Sequence, residues 1–66
     1  MRIDRVKLIA EMARQEITVN ELAKKACVSQ VTITAARGGK SCSRNSALHI
    51  ARGLGVDVSE LLPEED

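Results

Sequence analysis

Side chains able to carry reaction chemistry are few in this sequence. His49 is the only histidine, and Cys27 and Cys42 are the only thiols. One cysteine pair and one histidine cannot complete the usual four-ligand zinc site. The stretch Gly38-Gly39-Lys40-Ser41 has the ending of a nucleotide-phosphate loop. The earlier glycine that such a loop requires falls at Thr34, however, and no strand precedes it. His49 lies in a helical pattern with no evident acid or nucleophile beside it, so the sequence points to a solvent-facing residue. No enzymatic activity, metal, cofactor or small-molecule substrate is expected.

The chemistry that remains is charge recognition. The formal net charge is only +1, but its distribution is uneven. From Leu22 to Val56 the charged residues are Lys24, Lys25, Arg37, Lys40, Arg44 and Arg52, with no Asp or Glu among them. The stretch before it balances Arg2, Arg5, Lys7 and Arg14 against Asp4, Glu11, Glu16 and Glu21. The end is acidic, with Asp57, Glu60, Glu64, Glu65 and Asp66. An acid-free basic centre favours a polyanionic partner, of which nucleic acid is the commonest.

A chain of 66 residues is expected to form one domain. At this size folding buries only about 60% of the surface the unfolded chain exposes. Without Phe, Tyr or Trp, the core must come from Leu, Ile, Val, Ala and Met. Such a core is modest, which makes a homodimer attractive on stability grounds. No signal-peptide pattern and no apolar run near the ~20 residues of a membrane span is present. The expectation is a cytoplasmic protein that meets no membrane and keeps its two cysteines reduced.

The elements that position the basic centre read as helices. Ile3, Val6, Ala10, Ala13 and Ile17, with Ile9 and Met12 beside them, form a helical stripe over about Arg2 to Gln15. Arg5, Lys7, Glu11 and Arg14 take the other face, where Lys7 and Glu11 are spaced to pair. Thr18 and Glu21 form a capping box for a second helix that buries Leu22, Ala23 and Ala26 and stops near Ala26 or Cys27. Ser29 caps a third helix, Gln30 to Arg37, closed by Gly38-Gly39. Its run Val31-Thr32-Ile33-Thr34 is β-branched and favours a strand in isolation. The cap, the glycines and the lack of any alternating partner strand favour a helix, with Val28, Ile33 and Ala36 inward and Gln30, Thr34 and Arg37 outward. After a polar loop, Ser43 or Asn45 caps a fourth helix with Leu48, Ile50, Ala51 and Leu54 buried. Gly53 costs this helix about 1 kcal/mol relative to Ala, which suggests close packing there, and Gly55 ends it. Val56 to Leu62 reads as a short fifth helix capped by Asp57 or Ser59 and stopped by Pro63. An acidic tail follows over 63–66.

The pattern Ile17-Thr18, Glu21-Leu22-Ala23, Val28-Ser29, Ile33, Gly39-Lys40, Leu54-Gly55-Val56 and Leu61-Leu62 resembles the phage repressor and Cro-like (XRE-type) helix-turn-helix family. The resemblance runs from about Val6 to Leu62. It implies an all-α, five-helix, lambda-repressor-like domain over 1–66, with the helix-turn-helix over about 18–37. It implies binding to double-stranded DNA through the major groove, commonly as a twofold dimer on a palindromic operator. Carried over by position, Ser29, Gln30, Val31 and Ala35 would read bases. Gln30 suits adenine, while Val31 and Ala35 suit a thymine methyl. Thr18, Thr32, Thr34, Arg37, Lys40, Ser43 and Arg44 would hold phosphates. Val56, Val58, Leu61 and Leu62 would form the dimer interface.

Three positions depart from the family pattern. Cys27 stands at the corner where glycine is frequent, which implies a strained or reshaped left-handed turn. Arg37 replaces a frequent Glu and Met12 its arginine partner, so Arg37 is free to reach the DNA backbone or Glu11. Val19 stands where a polar phosphate-contacting residue is common. The function implied is a small transcriptional regulator, a repressor by analogy. The alternative is a protein-interaction module of the same shape, antitoxin- or antirepressor-like, because Val31, Ile33, Ala35 and Ala36 make a weakly polar recognition helix.

Overall fold

The computed structural model describes residues 2–63. Its elements are α1 (Arg5–Arg14), α2 (Val19–Ala26), α3 (Gln30–Arg37), α4 (Arg44–Leu54) and a 3-10 turn (Val58–Leu61). No strand occurs among the described residues. The acidic tail expected beyond Pro63 lies outside them.

Each element begins at a side chain that accepts otherwise unpaired amide hydrogens. Thr18 and Glu21 form the reciprocal capping box, Ser29 accepts from the Thr32 amide, and Ser43 accepts from the Ser46 amide. Asp4 was not foreseen as a cap. Its carboxylate accepts from the amides of Val6 at 2.9 Å and Lys7 at 3.5 Å, which starts α1 at Arg5 rather than Arg2. The four α-helices also end alike. Ile17, Val28, Lys40 and Val56 donate their amides to Met12, Ala23, Ala35 and Ala51, the long return bond of a Schellman stop. The residue before each donor lies in the left-handed region: Glu16 (φ 52°), Cys27 (φ 58°), Gly39 (φ 87°) and Gly55 (φ 71°).

Every element gives one large aliphatic side chain to the centre. Leu8, Leu22, Ile33, Ile50 and Leu61 are fully buried, joined by Ile3 from the segment before α1. Ile3 and Leu8 flank the Asp4 cap in the positions of a hydrophobic staple. Between α2 and α4 the approach is close, because Gly53 removes the side chain that would face Ala26.

Four expectations need correction. The buried face of α1 is Leu8 and Met12, whereas Val6 is 64% exposed, Ile9 is 37% exposed, and Ala10 and Ala13 face outward. Glu11 pairs with Arg14 at 2.5 Å, while Lys7 Nζ donates to the Leu62 carbonyl at 2.8 Å. On α4, Ala47 takes the buried place expected of Leu48, which is 38% exposed. Finally, the fifth helix is a single 3-10 turn. Its bonds run from the Glu60 amide to the Asp57 carbonyl and from the Leu62 amide to the Ser59 carbonyl. Pro63 has no amide hydrogen and drives Leu62 into extended backbone (ψ 149°), so the turn cannot lengthen.

Candidate nucleic-acid interface

The placing of α3 begins in α2. Leu22, Ala23 and Ala26 bury one face of α2, and the chain then reverses through Cys27. A left-handed conformation costs a non-glycine residue roughly 1–2 kcal/mol. The turn persists on Cys27 because the Val28 amide bonds to the Ala23 carbonyl and the Val28 side chain packs on the core. Ser29 then opens α3. Ile33 and Ala36 are fully buried, so the β-branched run is held in a helix by tertiary packing that outweighs its strand propensity.

With Ile33 and Ala36 inward, α3 turns Gln30, Val31, Thr34 and Arg37 to solvent. Val31 is 77% exposed, the most open of the exposed large apolar side chains among the described residues. Gln30, Val31, Thr34, Ala35, Gly38 and Lys40 line one shallow concavity of about 480 Å³. Gln30 Nε2 donates to Asn20 Oδ1 on α2. Asn20 is absent from the residues expected at the site. Its signal in the sequence is its place in the first turn of α2, the helix that flanks α3. The bond braces an exposed amide that would otherwise sample several rotamers.

The hydroxyls expected to touch DNA have local duties. Ser29 Oγ shares a hydrogen bond with Thr32 Oγ1 at 2.8 Å and accepts from the Thr32 amide. Thr32 is half-buried, whereas Ser29 is exposed, as Gln30 and Thr34 are. Ser43 Oγ donates to Ser46 Oγ at 3.0 Å. Thr34, Lys40 and Arg44 are exposed, with no ion pair or side-chain hydrogen bond among the described residues. Thr18 and Arg37 share a second concavity, about 440 Å³, where α1 meets the start of α2. Arg37 does not pair with Glu11, which Arg14 occupies.

The expected dimer residues separate. Leu61 is fully buried in the chain's own core and offers nothing to a partner. Leu62 is half-buried and lies where its carbonyl accepts from Lys7. Val56 and Val58 line a smaller concavity of about 220 Å³ with Leu48 and Ala51. Leu48 is thus an exposed apolar residue beside the expected face that sequence reasoning had placed in the core.

A family model described as the Cro/C1-type HTH DNA-binding domain matches residues 7–64, most of the chain. This chain belongs to the Cro/C1-type HTH DNA-binding domains. Searches of curated proteins and of solved structures gave no match. The acid-free stretch from Leu22 to Val56 covers α3 and the loop behind it. DNA binding by a transcriptional regulator is the activity of this family. No group of three or more potential metal ligands occurs among the described residues, and no described helix is long and apolar enough to cross a membrane.

Proposed function

We infer that this Cro/C1-type domain is a sequence-specific repressor whose α3 lies in the major groove and which binds a palindromic operator as a twofold dimer in the cytoplasm. The observation that carries this reading is the outer face of α3. A braced Gln30, the exposed Val31 and Ala35 form a small mixed surface that merges with Lys40 and carries no acid. Gln30 pairs with adenine N6 and N7, and Val31 packs on a thymine methyl. Thr34, Lys40 and Arg44, with Thr18 and Arg37 at the second concavity, hold phosphates on either side. Leu48, Val56 and Val58 supply the apolar part of the dimer contact.

Selection of bound duplexes from a random pool tests the reading, followed by anisotropy titrations at several salt concentrations. The expected result is a palindrome with half-sites about one helical turn apart and affinity that falls steeply with salt. Gln30→Ala removes about 1–3 kcal/mol of preference for the selected site while non-specific binding stays the same. Binding that is indifferent to both sequence and salt would favour the protein-interaction alternative.

A further inference from the structure

The first residues of the chain meet the end of α3. Arg2 Nε donates to the Gly39 carbonyl at 3.0 Å. A Cβ built on Gly39 would lie 3.6 Å from Cδ of Arg5. Arg2, Asp4, Arg5, Gly38 and Gly39 line a concavity of about 380 Å³. Gly38 also lines the concavity of α3, so the two hollows adjoin at a position with no side chain to separate them. Lys40 stands on the far side of the same corner.

The charges around this corner are mostly unspent. Arg2 uses one nitrogen on Gly39 and keeps the outer edge of its guanidinium, while Arg5 is exposed and has no hydrogen-bond or ion-pair partner among the described residues. Among the described residues, the one acid lining the hollow is Asp4, whose carboxylate already accepts the amides that open α1. A planar fork with free donors beside a second arginine suits a phosphodiester oxygen.

We propose that Arg2 and Arg5 form a phosphate clamp outside the helix-turn-helix, gripping the DNA backbone where it leaves the groove occupied by α3. The inference rests on the DNA-binding reading above. Charge distribution along the chain does not reveal it, because the charges before Leu22 balance; the fold carries two of those arginines to the end of α3 and leaves the neighbouring acid engaged in a cap.

The test uses the full chain and a labelled duplex of mixed sequence, about 20 base pairs or two turns long. Anisotropy is read from about 50 to about 200 mM salt, with thermal unfolding measured alongside. The double variant R2A/R5A is expected to lower the magnitude of the log–log salt slope by about two. Affinity at the low-salt end should fall by more than about tenfold. R5Q, which breaks no hydrogen bond, should lower the slope by about one with an unchanged melting temperature, and R2K/R5K should restore most of the slope. A steep wild-type slope that R2A/R5A and R5Q leave unchanged overturns the clamp while DNA binding stands. A purely structural role for Arg2 would lower the melting temperature of R2A/R5A with no change of slope, and it too overturns the clamp. A flat wild-type slope removes the DNA-binding reading itself.

Discussion

Gly53 on α4 rests directly on Ala26 of α2. A Cβ at Gly53 would stand 2.9 Å from the Ala26 Cβ, 3.0 Å from its nitrogen and 3.1 Å from its Cα. Two of those atoms are backbone, so the clash cannot be relieved by a rotamer change. Alanine gains about 1 kcal/mol in helix propensity over glycine, yet overpacking of this kind costs typically 1–3 kcal/mol. Gly53→Ala should therefore lower the melting temperature, by up to about 10 °C in a domain this small. A rise in the thermal midpoint followed by circular dichroism would show that α2 and α4 can part without cost.

Cys27 holds the corner between α2 and α3 at φ 58° with a side chain that makes only a long 3.9 Å contact from Sγ to the Lys24 carbonyl. Glycine relieves the left-handed strain there, so Cys27→Gly should stabilise the fold by about 1 kcal/mol. The midpoint should rise by about 4–8 °C. DNA affinity should be unaltered, since the turn geometry is already the one glycine prefers.

The Asn20–Gln30 bond links the proposed base-reading side chain to α2. Asn20→Ala should weaken binding to the selected site though Asn20 itself reads no base. A double-mutant cycle with Gln30→Ala should give a coupling of about 0.5–3 kcal/mol, the range for residues in one hydrogen-bond network. Additive losses would mean that Gln30 finds its orientation on DNA without help.

Leu48 and Leu61 separate the proposed assembly from folding. Leu48→Glu should leave the melting temperature within a few degrees and lower affinity for the full palindrome far more than for one half-site. Leu61→Ala should cost about 2–5 kcal/mol, because it empties a fully buried position. That is much of a small domain's stability. Analytical ultracentrifugation and chemical denaturation distinguish the two.

Asp57 caps the 3-10 turn, and hydrogen bonds from the Ser59 amide and then the Ser59 hydroxyl hold its carboxyl below the usual carboxylate range. A depressed folded pKa favours the native state above the unfolded value of about 3.9. The advantage is lost as pH falls through the lower folded value. Asp57→Asn should therefore flatten part of the loss of stability in acid, seen as a shallower fall in denaturation midpoint below about pH 4.

Much of the fold was legible because caps and stops are local. Thr18 with Glu21, Ser29 and Gly55 act within one turn of themselves, so α2, α3 and the end of α4 lie where their residues demand. The outward face of α3 was legible for the same reason, since Ile33 and Ala36 leave only one arrangement for Gln30, Val31 and Thr34. Length was the weak point at the far end. The four residues Val58–Leu61 supply only i to i+3 bonds before Pro63, and apolar spacing does not distinguish such a turn from a helix.

The sequence by itself determined where α2 and α3 start and stop, where α4 ends, which family the pattern resembles and where positive charge gathers, because each depends on neighbours along the chain. It could not choose between the two apolar stripes of α1, Leu8 with Met12 or Val6 with Ile9, Ala10 and Ala13, since both recur at helical spacing. Only packing against α3 and the 3-10 turn made that choice. Tertiary structure likewise withdrew Leu61 from the surface, exposed Leu48, joined Asn20 to Gln30 and brought Arg2 to Gly39. These are contacts between residues distant in sequence or on separate helices, and they exist only once the helices have packed.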